Sequence, residues 1–318
     1  METQVKTKEP KKVRYTGMQM IAPHLWFDKE AGDAAKFYVS VFGGDSKVTS
    51  VTPINDTPSG DAELVTFRLR AYDFLAISAG PIFKFNPSIS FILNFDPSQN
   101  KNAQKELDEI WVQLSDGGKS LMPLGEYPFS KRYGWVQDRY GLSWQLILSR
   151  PEGEPRPFIT PVMMFTGNVC GKAEEAMRYY ISVFKNSGEG IIARYGANQQ
   201  PDKEGTVMFE DFMLDGEWFA AMDSAREHDF TFNEAISLVV SCNTQEEIDY
   251  FWKKLSAYPE AEQCGWCKDK YGLSWQIIPS RLGEFMSGTP DQRARVTQTF
   301  LKMKKFDIAA LERAYIGK

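Results

Sequence analysis

With 318 residues, 42% of them hydrophobic, 25% charged and 14% aromatic, the chain can build about two packed domains and is unlike a disordered polymer. A formal net charge of −5 argues against a nucleic-acid binder, which would normally show a basic face. No apolar run approaches the roughly 20 residues of a membrane span, so neither nucleic acid nor membrane is an expected partner.

Residues 1–17 hold five Lys/Arg and no apolar h-region, which predicts a disordered tail rather than a secretory signal. Met18–Asp28 opens with the apolar run Met-Ile-Ala-Pro-His-Leu-Trp-Phe, a strand. Ala31–Phe42 then carries apolar residues at 34, 35, 37, 38, 41 and 42, a helical stripe ended by Gly43-Gly44. Strands are expected over Lys47–Ile54, Glu63–Arg70 and Tyr72–Ser78, which completes one βαβββ unit. A second unit starts at Ser88–Asn94. Its helix places Leu107, Ile110, Trp111 and Leu114 on one face, and a long hairpin through Leu121–Pro128 follows.

The last hairpin of this half, Tyr133–Arg150, recurs as Cys264–Arg281 at a constant offset of 131 (264 minus 133, 281 minus 150). Each copy reads as strand, Asp-x-x-Gly turn, strand. Pro151–Pro157 is a Pro/Gly/Glu linker, after which the pattern restarts. Ile159–Phe165 matches Ile21–Phe27, Tyr179–Phe184 matches Phe37–Phe42, and Phe232–Leu238 matches Phe85–Phe91. Thr244-Gln-Glu-Glu247 predicts a capping box for the helix carrying Ile248, Phe251, Trp252 and Leu255. The stretch before the last hairpin is shorter in copy two: Ser256 to Cys264 against Ser115 to Tyr133. Asp291–Lys305 and a segment capped by Asp307 predict C-terminal helices that cover an open surface.

The four cysteines, Cys170, Cys242, Cys264 and Cys267, suit a reducing cytoplasm. Cys264-Gly-Trp-Cys267 has metal-ligand spacing, but copy one has Tyr133-Gly-Trp-Val136 there. On a strand, i and i+3 face opposite ways, so the pair reads as structural.

The paired βαβββ units, the Trp-x-x-Asp-x-x-Gly-x-Ser-Trp-Gln hairpin and the Lys-Met-Lys-Lys-Phe-Asp-Ile-Ala-Ala-Leu-Glu tail resemble the PhnB-like proteins of the glyoxalase, bleomycin-resistance and dioxygenase (vicinal oxygen chelate) superfamily. The resemblance covers about residues 18–315. It implies an α+β fold of two tandem glyoxalase-like domains, each built of two βαβββ units forming a curled mixed sheet. The expected division is a tail at 1–17, domains at 18–150 and 158–282, a linker at 151–157 and a helical extension at 283–318. Members often carry a demethylubiquinone methyltransferase label, yet no glycine-rich strand–turn–helix motif for S-adenosylmethionine occurs.

The resemblance also implies a concave pocket in which catalytic members hold a divalent metal with His and Glu. Carried over, those places fall on His24, on Ser88-Ile-Ser-Phe91, near Ser78, and on Gln145 of Gly141-Leu-Ser-Trp-Gln145. One imidazole, one amide and hydroxyls are a weak set for a transition metal, so neither metal nor other cofactor is expected. Copy two offers Val162, Ala235 and Gln276. The candidate ligand-binding residues are therefore His24, Trp26, Ser78, Ser88, Trp135 and Gln145, all in the first half. Each has a bland alternative: His24 as a half-buried histidine, Gln145 and Gln276 as partners of polar sheet groups, Trp135 and Trp266 as packing, Asp138 and Asp269 as turn residues.

The leading expectation is a protein that binds a small organic ligand without metal. The alternatives are a metal-assisted lyase, isomerase or dioxygenase using His24 and Gln145, and a partner-binding protein whose pockets are filled. Two related halves joined by a short linker also predict a covalent pseudo-dimer, with higher assembly left open.

Overall fold

A computed structural model describes residues 19–57, 60–150 and 155–318. The expected tail at 1–17 and residues 151–154 of the linker lie outside the described residues.

Unit one comprises β1 (Ile21–Phe27), α1 (Ala31–Phe42), β2 (Lys47–Thr57), β3 (Gly60–Leu69) and β4 (Tyr72–Ser78). The stripe predicted for α1 is its buried face: Ala34, Ala35, Tyr38, Val41 and Phe42 all point inward. Gly43 ends the helix at a φ of 55°, a conformation that costs glycine little. Unit two comprises β5 (Ile89–Phe95), α2 (Ala103–Ser115), β6 (Lys119–Tyr127), β7 (Ser130–Gln137) and β8 (Ser143–Leu148).

Unit three repeats the plan with β9 (Ile159–Phe165), α3 (Ala173–Val183), β10 (Gly188–Arg194), β11 (Val207–Leu214) and β12 (Glu217–Asp223). Unit four comprises β13 (Ile236–Cys242), α4 (Gln245–Leu255), β14 (Trp266–Lys268) and β15 (Ser274–Pro279). Thr244 caps α4 by accepting from Glu247 N, while the Glu247 carboxylate reaches back to Asn243 N rather than to Thr244 itself. The chain closes with α5 (Leu282–Met286), α6 (Pro290–Phe300) and α7 (Ile308–Ile316), the last capped by Asp307 as its sequence predicts.

Two curled sheets result, each holding two units. The units that share a sheet are not neighbours in the way the halves suggest. The first sheet runs β14-β15-β13-β1-β4-β3-β2, joining unit one to unit four. The second runs β10-β11-β12-β9-β5-β8-β7-β6, joining unit three to unit two. The seams are antiparallel: β1 on β13, with His24 opposite Ser237, and β5 on β9, with Ser90 opposite Val162. Within the first half, units one and two stack instead through side chains. Phe74 meets Phe91 at 5.2 Å and Tyr38 meets Trp144 at 5.4 Å. Each half thus packs its own aromatic core, and the halves join edge to edge through both sheets.

Unit four lacks a counterpart of β6, because its chain has too few residues for that excursion. The tail fills the place. Cys264 N donates to Met303 O at 2.8 Å and Gly265 N to Lys304 O at 2.7 Å, so the donors of β14's approach are satisfied from the C-terminal extension.

Candidate functional site

Side chains alternate along β1. Ile21, Leu25 and Phe27 enter the aromatic core, while Ala22, His24 and Trp26 face the hollow of the first sheet. His24 is buried, and its Nδ1 has no hydrogen-bond partner. Burial pushes its pKa down to about 3, so the ring is neutral near pH 7 and offers one donor and one acceptor. Opposite it on β13 stands Ser237, whose Oγ accepts from Gln276 Nε2 on β15 at 2.9 Å. The Gln276 carbonyl oxygen receives no hydrogen bond among the described residues. Trp266 on β14 reaches over this row, its ring 5.5 Å from His24 at 88° and 6.2 Å from Trp26. Two strands separate β14 from β1, so this contact measures how far the sheet curls. The Trp26 indole is anchored by donating to Gly80 O at 2.8 Å, and Phe83 packs against it at 5.1 Å. Leu75, Val239 and Ile278 supply the apolar floor.

The hollow of the second sheet is built on the same plan but is chemically closed. Val162 stands where His24 stands. Gln145 Nε2 donates to Ser90 Oγ at 2.8 Å, and Tyr133 Oη donates to Gln145 Oε1 at 2.7 Å. Copy two has Cys264 in place of Tyr133, which leaves the Gln276 oxygen without that donor. Ile92, Val162 and Ala220, with Ile147, Phe209 and Met222, fill the rest with apolar surface.

The six residues expected to share one pocket are therefore divided. His24 and Trp26 lie in the first hollow; Trp135 and Gln145 line the second. The cause is the strand pairing: unit one meets unit four, so His24 stands opposite Ser237, which Gln276 holds, and shares no sheet with Gln145. Ser88 is displaced as well. It is Ser90 that faces Gln145, while the Ser88 backbone carbonyl accepts from Met164 N. Ser78 serves the start of α1, its Oγ accepting from Ala31 N at 3.1 Å. Ser90, Ser237, Trp266 and Gln276 were outside the expected set. The repeat alone points to Gln276 as the twin of Gln145; nothing in it says which glutamine shares a sheet with His24.

The glyoxalase-like fold implies a metal, and the residues in the first hollow do not fit one. A neutral imidazole, an amide and a serine hydroxyl with no carboxylate make a poor transition-metal set. Among the described residues, no group of three or more His, Cys, Asp or Glu is placed to hold an ion. The four cysteines are free, and burial raises the Cys242 and Cys267 thiols.

Two curled mixed sheets of tandem βαβββ units define a glyoxalase-like protein with two hollows. The family model for 3-demethylubiquinone-9 3-methyltransferase matches residues 19–147 and again 157–278. The chain belongs to this family, the PhnB-like branch of the glyoxalase-like superfamily, in two tandem copies. A PhnB protein of Bacillus cereus is 33% identical over 41% of this chain and 100% of its own, with a TM-score of 0.37. A protein from Staphylococcus aureus is 26% identical over 42% of this chain and 98% of its own, with a TM-score of 0.17. Glyoxalase I from Zea mays is 12% identical over 82% of this chain and 93% of its own, with a TM-score of 0.47. No curated protein matches the chain. No helix among the described residues is long and apolar enough to cross a membrane.

Proposed function

We propose that the protein binds a small, uncharged organic molecule in the first hollow, without metal, between its two halves. One contrast carries this reading. Gln145 has both ends of its amide satisfied within the protein, whereas in the other sheet His24 keeps a buried Nδ1 without a partner and Gln276 lacks the donor that Tyr133 gives Gln145. Buried polar groups are normally paired, because leaving one unpaired costs about 1–3 kcal/mol. A ligand that bonds His24 Nδ1 would offset that cost, and Gln276 Oε1 offers it an acceptor. Trp26, Trp266, Leu75 and Ile278 offer apolar and aromatic walls, so the fitting class is a partly aromatic molecule with N–H or O–H groups. A neutral His24 has no charge with which to hold an anion.

The methyl transfer in the family's description draws no support from these groups, since the chain has no glycine-rich strand–turn–helix segment for a nucleotide-like methyl donor. For the second hollow the filled-pocket reading is favoured, because Tyr133, Gln145 and Ser90 satisfy one another. Free cysteines accord with a reducing compartment such as the cytoplasm.

Native mass spectrometry of the freshly purified protein tests the reading. A small organic mass carried by the wild type and lost in both His24→Phe and Gln276→Leu is expected. About one transition-metal ion per chain, lost with His24→Ala, would overturn it.

A further inference from the structure

Trp135 and Trp266 are twins in the repeat, and their strands have the same register: Trp135 lies opposite Gln145, and Trp266 opposite Gln276. Their side chains nevertheless take different seats. Trp135 lies down its own sheet, its Nε1 donating to Ser143 Oγ at 2.7 Å. The matching hydroxyl in copy two is Ser274, two residues before Gln276. Trp266 does not use it. Its indole has swung across the hollow onto His24 and Trp26, and there its Nε1 donates to no described residue. Ser274 Oγ likewise makes no hydrogen bond among the described residues. A donor and an acceptor that are paired in one copy are thus both idle in the other.

We propose that Trp266 is the gate of the first hollow, turning between two seats: over His24, where it covers the unpartnered imidazole, and against Ser274, where its twin already sits against Ser143. This rests on the reading of the first hollow as a ligand site. The covered seat gains edge-to-face aromatic contact; the open seat gains a hydrogen bond for the indole and the serine. These gains are of the same order, so neither seat is out of reach. In the second sheet the balance is one-sided, because Val162 and Met164 replace His24 and Trp26 and give an indole nothing aromatic to lean on. Trp135 is therefore fixed on its serine, while Trp266 has a choice. With Trp266 on Ser274, His24 and the free oxygen of Gln276 face the entrance together, and the space left by the indole admits a flat molecule of similar width.

Diethyl pyrocarbonate, a small neutral reagent that acylates neutral imidazole, tests the gate without any ligand. The chain has two histidines, so peptide mass spectrometry reads His24 against His228 within the same molecule. An open seat held by a minor population of roughly 0.1–10% makes His24 slow in the wild type. Trp266→Ala should speed its acylation by about tenfold or more, with His228 unchanged. Ser274→Ala removes the open seat's hydrogen bond and should slow His24 by about threefold or more, again sparing His228. Equal His24 rates in wild type and Trp266→Ala would overturn the gate, and an unchanged rate in Ser274→Ala would overturn its second seat. Should Trp266→Ala unfold, both histidines would accelerate together and Ser274→Ala decides alone. Because no ligand is used, failure here is distinct from failure to find a bound molecule by native mass spectrometry.

Discussion

The Tyr38 hydroxyl donates to Asp138 Oδ2 at 2.8 Å, joining α1 of unit one to the last hairpin of unit two across 100 residues of chain. The same carboxylate accepts from Trp144 Nε1 at 2.8 Å, Tyr140 N at 2.8 Å and Leu142 N at 3.1 Å. In the second half Asp269 repeats the pattern with Tyr180, Trp275, Tyr271 and Leu273. The conspicuous aspartate of the repeated hairpin is thus a knot in the scaffold. It ties the turn, the core tryptophan and the helix of the neighbouring unit together. Burial still pushes Asp269 up to about 6, and four donors pull against it.

Asp138→Ala leaves the Tyr38 hydroxyl and the Trp144 indole N–H buried without an acceptor. The expected loss is about 3–5 kcal/mol of unfolding free energy. Tyr38→Phe removes a single donor from a carboxylate that keeps three, and should cost about 1–2 kcal/mol. Equilibrium denaturation in urea reads both. A cost below that of Tyr38→Phe for Asp138→Ala would contradict the knot.

Glu210 on β11 is fully buried, with neither carboxylate oxygen hydrogen-bonded, at the place Val65 takes in β3. The register shows the match: Glu210 lies opposite Ala221, and Val65 opposite Ala76. Burial, with the Asp223 carboxylate nearby, pushes Glu210 up to about 8 from an ordinary 4.5. The folded chain therefore keeps this proton up to about pH 8, while the unfolded chain releases it near pH 4.5. Its contribution to stability is intact below pH 4.5 and is lost as pH rises towards 8, by on the order of 3 kcal/mol. Glu210→Gln should remove that slope, so the variant gains on the wild type as pH rises from 5 to 8. Parallel stability profiles for the two proteins across that range would refute the assignment.

The edge-to-edge join predicts a chain that needs no second copy. It should run as a single 36.2 kDa species by light scattering. Five register pairs at the β1–β13 seam and five at the β5–β9 seam hold the halves without the linker. A protease site engineered into Pro151–Pro157 should therefore yield two fragments that stay together after cutting and part only in denaturant. Fragments that separate in native buffer would count against the seams.

Gly265 lies where the C-terminal extension crosses the edge of the first sheet. Its φ is 84°, and a β-carbon there would stand 2.5 Å from the Phe306 ring and 3.0 Å from Ile277 O. Gly265→Ala should cost about 2–4 kcal/mol and loosen the extension, read as faster amide exchange at Cys264 and Gly265. Phe306→Ala added to it should recover only part of the loss, because the backbone conformation remains unfavourable. Full recovery would show that the ring alone was the obstacle.

Much of this architecture was readable from residue order alone. The i, i+3, i+4 stripe of Ala31–Phe42, the Asp307 cap and the gap-free recurrence of the last hairpin are local, and local spacing dictates helix, cap and turn. The repeat likewise identified Gln145 and Gln276 as twins. Which unit would pair with which was not local. The β1 edge could have met β5 of its own half or β13 of the other, because both carry the same alternating apolar pattern and periodicity does not record a partner. Only the packing of Phe74 on Phe91 and Tyr38 on Trp144, which turns units one and two face to face, leaves their edges free for the other half. That choice put His24 in one sheet with Ser237 and Gln276, divided the expected pocket in two and sent Trp266 onto His24. The strands follow from the amino-acid order; the site follows from how their edges meet.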